Sequence, residues 1–455
     1  MIARPPKAAA SKLRPVGDNF VLRSEAFQPY VQQLAELLHS AAAMGLSHDQ
    51  KRIAAALDGQ PGRELRKSYL IASLRNTGTY FTGSRLATRL ISCLDLQTID
   101  SRQIVDPACG AGDLLVACAR LLPMQGTLSE TLNEWGKRLA GFDINSAFVE
   151  AARYRLALLA LERSGSTRQA EFDEPLAEFF PNIRCGCGME DWNLLVEPSL
   201  VVINPPFSYM QAAKDCQWGS GRVSQAATFL ESCLRNAAAK ARVLAILPDV
   251  LRTGTRYERW RLMVAEKARV HSVEIAGRFD ELTEVSIFLL HLEVGDGDKN
   301  RRVDWAHPSS RAGRTVKDVF DVRVGPVVPF RLEPEGPWRA YAHSENLPAW
   351  KTVRGLDQRI RFKGTTYKPP FVSIRRTSKV DYQIRCIGTI VTGEQATAVE
   401  NHLLVALPRD GKVSTCKILL DLLKRDSTSS WMNERIRCRH LTVGSVEDLP
   451  WPEDL

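Results

Sequence analysis

The chain has 455 residues, 44% hydrophobic and 25% charged, with a net charge of +9. These values describe an ordinary globular chain long enough for two or three domains, and they exclude collagen-like and low-complexity sequences. No apolar stretch approaches the roughly 18 to 20 residues of a membrane span. The ten cysteines are scattered, and the short spacings Cys185–Cys187 and Cys438–His440 lack the second half of a zinc site. The expectation is therefore a cytoplasmic protein with free thiols, no metal and no membrane contact. The stretch from Met1 to Lys12 is basic and rich in Ala and Pro, without the apolar core of a signal peptide.

In chain order, Ser24 is placed to cap a helix with Phe27, Tyr30, Val31, Leu34, Leu37 and Leu38 on one face. A second helix is expected over Asp49–Leu57, a breaker at Gly59–Gly62, and a third helix over Glu64–Arg75. From about Gln103 to Val294, strands and helices alternate. Strands are expected at Gln103–Ala108, Leu139–Asp143, Leu200–Asn204, Arg242–Leu247, Val270–Ala276 and Ser286–Glu293, with a weaker one near Ile183–Met189. Helices fit Asp113–Leu122, Ser146–Arg163, Ser224–Lys240 and Tyr257–Lys267. That alternation predicts an α/β, Rossmann-like sheet, mainly parallel, with helices on both faces. A turn-rich break at Gly295–Asn300 precedes a mixed α/β remainder with helices near Cys416–Lys424 and Ser429–Arg437. The domains expected are a tail and helical region (1–75), an α/β domain (76–300) and a C-terminal domain (301–455).

Four motifs fall at the ends of successive strands. Asp106-Pro107-Ala108-Cys109-Gly110-Ala111-Gly112-Asp113 leads from a strand into a helix. Its glycines allow close approach of a ligand to the backbone, and no Walker lysine follows, so a cationic or zwitterionic ligand suits it better than a phosphate. Asp143 ends the next strand, where an acid can bind ribose hydroxyls, and Ile144 can pack against a purine. Asp191-Trp192 pairs a carboxylate with an aromatic ring, again suited to adenine. Asn204-Pro205-Pro206-Phe207 follows the apolar run Leu200–Ile203. Two prolines stiffen that strand end and leave its carbonyls as acceptors, between an amide side chain and an aromatic face. Each motif alone has an ordinary reading as a turn or a helix cap. Together, on one sheet, they point to a single crevice at the strand ends.

In this order the sequence resembles the S-adenosylmethionine-dependent amino-methyltransferases of DNA, the adenine-N6 group with a C-terminal target-recognition domain. The resemblance implies S-adenosylmethionine as cofactor, held by Tyr80, Thr82, Asp106, Ala108, Gly110, Gly112, Asp143, Ile144, Asp191 and Trp192. It implies catalysis by Asn204, Pro205, Pro206 and Phe207, with Phe207 and Phe279 at a flipped adenine. The segment Thr77-Gly78-Thr79-Tyr80-Phe81-Thr82 is similar to the one that closes over the cofactor's methionine end. The family places proline after that threonine; here the residue is Gly83. The ending from His440 to Pro452 resembles the close of a recognition domain.

Double-stranded DNA is the partner implied, in a restriction-modification or phage-defence setting, with a nuclease or other defence partner left open. From Lys351 to Lys379 there are nine Lys or Arg and a single acid, Asp357. They are mixed with aromatic residues, as on a nucleic-acid surface. Lys351, Arg361, Lys363, Arg375 and Arg376 are the candidates for DNA contacts. The same tetrapeptide occurs in enzymes acting on RNA adenine or protein glutamine, so these remain alternatives. So does a non-catalytic DNA-binding subunit on the same fold.

Overall fold

The computed structural model describes residues 22–94, 102–165, 175–190, 199–280, 283, 285–298, 303–305, 313–331, 333–378, 384–437 and 440–452. The chain divides into two compact units, Met1–Leu251 with Arg259–Val303, and Arg252–Glu258 with Asp304–Leu455.

The first unit is built on a seven-stranded sheet. Its strands are β1 (Ile104–Asp106), β2 (Leu139–Asp143), β3 (Ile183–Cys185), β4 (Leu200–Ile203), β7 (Arg242–Pro248), β8 (Ala268–Arg278) and β9 (Ser286–Val294), while β5 (Tyr209–Gln211) and β6 (Arg222–Ser224) form a separate hairpin. The order is β3-β2-β1-β4-β7-β9-β8, and β9 alone runs opposite to the other six strands. β1, β4 and β7 are almost wholly buried apolar runs, as a parallel sheet covered on both faces requires. The chain winds outward from β1 to β3 in one direction and from β4 to β7 in the other. β1 pairs with both β2 and β4, so the strand order reverses between β1 and β4. That reversal is the position at which open α/β sheets place a ligand crevice.

The helices are α1 (Gln28–Met44), α2 (Leu46–Leu57), α3 (Gln60–Ser68), α4 (Ile71–Thr77), α5 (Ser84–Ile91), α6 (Asp113–Ala119), α7 (Leu128–Arg138), α8 (Ser146–Ser164), α9 (Gln225–Asn236) and α10 (Glu258–Lys267). Helices α1 and α2 pack on α8, and their apolar face shares one core with the sheet. The N-terminal helices are thus part of the sheet's own unit. Ser24 opens a short 3-10 turn instead of capping α1, which starts at Gln28 with proline in its first turn. The expected breaker shrinks to Gly59, because Pro61 is tolerated at a helix start and Gly62 continues within α3. The expected third helix is two, split at Tyr69–Leu70.

The second unit carries a five-stranded sheet of order β10-β17-β14-β15-β12 and a three-stranded sheet β13-β11-β16. The strands are β10 (Phe320–Val324), β11 (Trp338–Ala342), β12 (Thr352–Arg354), β13 (Arg359–Arg361), β14 (Phe371–Arg375), β15 (Gly388–Thr392), β16 (Thr397–Val399) and β17 (Leu403–Pro408). Helices α11 (Val413–Lys424) and α12 (Asp426–Arg435) bury Leu419, Leu423 and Met432 against the larger sheet.

Candidate active site

The glycine loop leaves β1 and enters α6. Asp106 is 1% exposed and accepts from its own loop, at 3.0 Å from the Ala108 amide. Burial pushes its carboxyl up to about 8, with the nearby Asp143 and Asp113 adding to the rise against the pull of the Ala108 amide. Gly110 and Gly112 have φ of +51° and +83°. A Cβ on Gly110 would stand 2.9 Å from the Phe81 ring, and one on Gly112 would stand 2.9 Å from the Ala152 Cβ. The loop needs glycine at both positions for conformation and for space.

Asp143, at the end of β2, binds this loop directly. Its Oδ2 accepts from the Gly110 amide at 3.1 Å and its Oδ1 from the Asn145 amide at 2.9 Å. Burial raises this carboxyl to about 6, and the amides of Asn145, Gly110 and Ile144 hold it below Asp106. Ile144 is 63% exposed beside it, an apolar side chain presented to solvent next to the carboxylate. Asp191 and Trp192 lie outside the described residues. Gly188, just before them, rests on the Pro107 backbone: a Cβ there would be 2.0 Å from the Pro107 carbonyl oxygen.

Asn204 caps the carboxyl end of β4. Its Nδ2 donates to the Tyr80 carbonyl oxygen at 3.1 Å and to Thr82 Oγ1 at 3.0 Å. A carbonyl only accepts, so the amide has one possible orientation. Its other end, Oδ1, is buried with no hydrogen-bond partner. Leaving an acceptor in that state costs about 1–3 kcal/mol, and such an atom in a crevice marks a place for a donor. The tetrapeptide is tied down at its far end as well, since the Phe207 amide donates to the Gly78 carbonyl oxygen at 3.0 Å. Gly78, at φ +68°, approaches so closely that a Cβ would fall 2.2 Å from the Ser208 nitrogen.

Three rings surround this corner. The Phe207 and Phe279 centroids are 5.6 Å apart at 89°, and Tyr80 lies 5.9 Å from Phe207 and 5.8 Å from Phe279. Phe279 follows β8, with its amide bonded to the Val285 carbonyl oxygen. The structure thus brings together Tyr80, Thr82, Asn204, Phe207 and Phe279 as one group, and Asp106, Ala108, Gly110, Gly112 and Asp143 as another. Strand adjacency makes the two groups neighbours, because β1 and β4 pair. Gly78, Gly83 and Asp113 fall within motifs read from the sequence but were given no role there, and Arg155 was not identified; all four bond to these segments. No local signal separates Arg155 from the other arginines of an amphipathic helix.

In the second unit, Lys351, Arg361 and Lys363 are exposed. Arg361 Nε donates to the Gly336 carbonyl oxygen at 3.1 Å, and Lys363 pairs with Glu335. Arg375 and Arg376 are half-buried and turned inward. Arg375 donates to the carbonyls of Ser344 and Leu347, and Arg376 to that of Asn401. Trp338, 63% exposed, stands directly across from Arg361 between β11 and β13. Among the described residues no three His, Cys, Asp or Glu side chains gather as a metal site, and no helix is long and apolar enough to cross a membrane.

A mainly parallel sheet reversing at β1 and β4, with an acid at each of two strand ends and an amide at a third, is a Rossmann-like methyltransferase fold. Residues 67–277 match the model of the family described as N-6 DNA Methylase. The chain is also similar to several solved structures. The type IIL restriction-modification enzyme MmeI, in complex with DNA, is 12% identical, with 85% of this chain and 70% of that one covered and a TM-score of 0.53. The type IIG restriction endonuclease BpuSI is 14% identical over 85% of this chain and 61% of its own, with a TM-score of 0.39. A type I restriction-modification methyltransferase subunit from Streptococcus thermophilus is 17% identical over 53% and 51%, with a TM-score of 0.33. The chain spans about half the length of that subunit. No curated protein sequence matches it significantly.

Proposed function

We propose that this protein is a site-specific DNA methyltransferase that modifies the exocyclic N6 amine of adenine with S-adenosylmethionine as donor. The observation that carries the reading is the Asn204 amide, locked by Tyr80 and Thr82 so that Oδ1 is a buried acceptor without a donor. An adenine amine offers two hydrogens. Asn204 Oδ1 and the Pro205 carbonyl would accept them, drawing the nitrogen toward a tetrahedral shape and freeing its lone pair for attack. Pro205 and Pro206 hold the acceptors stiff, so little reorganisation is needed. The Phe207 face would stack on the base. Because Phe279 stands perpendicular to Phe207, a base lying flat on Phe207 would meet Phe279 with its edge toward that ring. A duplex base reaches such a pocket only by leaving the helix.

The residues present fit the cofactor. When bound, S-adenosylmethionine supplies a methyl group on a cationic sulfur that is its own leaving group. Asp143, with Ile144 beside it, suits a ribose and a purine. Gly110 and Gly112, packed against Phe81 and Ala152, hold the loop in shape, and Ala108, Tyr80 and Thr82 would line the ligand's approach. Asp191 and Trp192 are proposed for the adenine end. Asp106, raised to about 8 by burial, would regain its charge beside a cation. The second unit would bind phosphates through Lys351, Arg361 and Lys363. Arg375 and Arg376 are proposed there too, although their carbonyl bonds give them a structural task first. The N-6 DNA methylase match and the likeness to the restriction-modification enzyme MmeI support a restriction-modification setting.

The test is transfer of labelled methyl from S-adenosylmethionine into DNA, RNA and protein supplied together, followed by mapping of the product. Label in N6-methyladenine of DNA at a fixed sequence is expected. Label confined to RNA or protein, or none in any pool, would overturn the assignment.

A further inference from the structure

Gly83 is where this chain departs from the family it resembles, which places proline after Thr82. At φ +70° and ψ 157° the position is closed to proline, and its N–H is in use. The Gly83 amide donates to Asp113 Oδ2 at 2.7 Å. Asp113 opens α6 just after the glycine loop and is buried. Its other oxygen, Oδ1, pairs with Arg155 at 2.8 Å, and both side chains are almost fully enclosed, at 7% and 1% exposure. The Arg155 guanidinium also donates to Ala111 at 2.5 Å in the glycine loop, and to Ala56 at 2.8 Å and Leu57 at 3.3 Å at the end of α2. One buried ion pair therefore joins the loop after Thr82, the glycine loop and the N-terminal helices.

We infer that the Gly83–Asp113–Arg155 chain is a clamp that sets the orientation of the Asn204 amide. The inference rests on the reading of Asn204 as the amine acceptor. Asn204 takes its orientation from Tyr80 and Thr82, and Gly83 is the residue that follows them. Proline would stiffen that segment through its ring. Here the stiffness comes from a hydrogen bond to a charged, fully desolvated partner, which is stronger than a neutral one. Asp113 and Arg155 are positioning residues: they act through Gly83 and Thr82 on Asn204. The N-terminal helices belong to the same device, because their last carbonyls hold the guanidinium.

Three variants test it: Gly83→Pro, Gly83→Ala and Asp113→Asn. Gly83→Ala keeps the amide, and its Cβ meets nothing within 4 Å, but φ +70° with ψ 157° strains any residue that carries a Cβ. Amide hydrogen exchange of the segment 79–84 is read on the free protein, single-turnover methyl transfer on labelled DNA, and S-adenosylmethionine binding by calorimetry. Gly83→Pro and Asp113→Asn should speed exchange in that segment about tenfold and slow transfer about thirtyfold, with binding changed less than about threefold. Gly83→Ala, which keeps the amide but carries backbone strain, should fall between the wild type and Gly83→Pro in both rate and protection. Unchanged exchange in Asp113→Asn, or wild-type transfer by Gly83→Pro, would overturn the clamp. Exchange needs no substrate, so it decides the clamp even if the wild-type chain transfers no methyl group, a result that sinks the site assignment instead.

Discussion

Asn204 Nδ2 donates to the Tyr80 carbonyl oxygen at 3.1 Å, and this bond decides which end of the amide faces the crevice. The two residues are 124 positions apart in sequence. The segment around Tyr80 thus chooses the orientation of a side chain on another strand.

Asn204→Ala removes the acceptor and its orienting bonds together. Methyl transfer should fall by about a hundredfold to a thousandfold, in line with the loss of a preorganised polar group at a reacting centre. S-adenosylmethionine binding by calorimetry should change little. A variant that still turns over at the wild-type rate would remove Asn204 from the mechanism.

Phe207→Ala should lower transfer by about tenfold to a hundredfold, since stacking of a base on an aromatic ring contributes about 1–3 kcal/mol. The check is fluorescence of 2-aminopurine placed at the target position. The enhancement that reports an unstacked base should weaken in the variant, while Phe207→Tyr should keep it.

The two raised carboxyls give a pH signature in the free protein. An acid whose folded value lies above its ordinary value near 3.9 binds more protons folded than unfolded. Its contribution to stability is full below about pH 4 and is lost as pH rises through the folded value. Asp143 completes this near 6 and Asp106 near 8, so between about pH 6 and pH 8 the loss belongs to Asp106. Asp106→Asn should gain in Tm relative to wild type as pH rises across that window. Parallel Tm curves for the two proteins would show that Asp106 is not raised.

Basic residues of the second unit should separate into two kinds. Lys351→Ala and Arg361→Ala should weaken DNA binding and lower the salt slope by about one unit for each phosphate that is no longer neutralised. Arg375→Ala should instead cost about 1 kcal/mol of stability, because its side chain holds the Ser344 and Leu347 carbonyls. Chemical denaturation and salt-dependent binding, measured on all three, distinguish the roles.

Much of this was legible because it is written in local pattern. Buried runs such as Leu200–Ile203 identified strands, and the acid or amide that ends each run marked the crevice. The split of Glu64–Arg75 into two helices escaped the pattern because helical periodicity runs on past Tyr69 while the backbone there is extended. Ser24 looked like a cap because a hydroxyl before an apolar stripe is the usual signal, yet Pro29 started the helix instead.

By itself the sequence determined that Asp106, Asp143 and Asn204 stand at strand ends, since that depends on hydrophobic runs and on the residues that stop them. Tertiary structure alone decided which way the Asn204 amide turns, that Phe207 and Phe279 meet at right angles, and that Asp113 and Arg155 hold the loop at Gly83. Those outcomes depend on pairings across tens to more than a hundred residues. Each is a choice among hydrogen-bond partners that exist only once the sheet has brought the strand ends together.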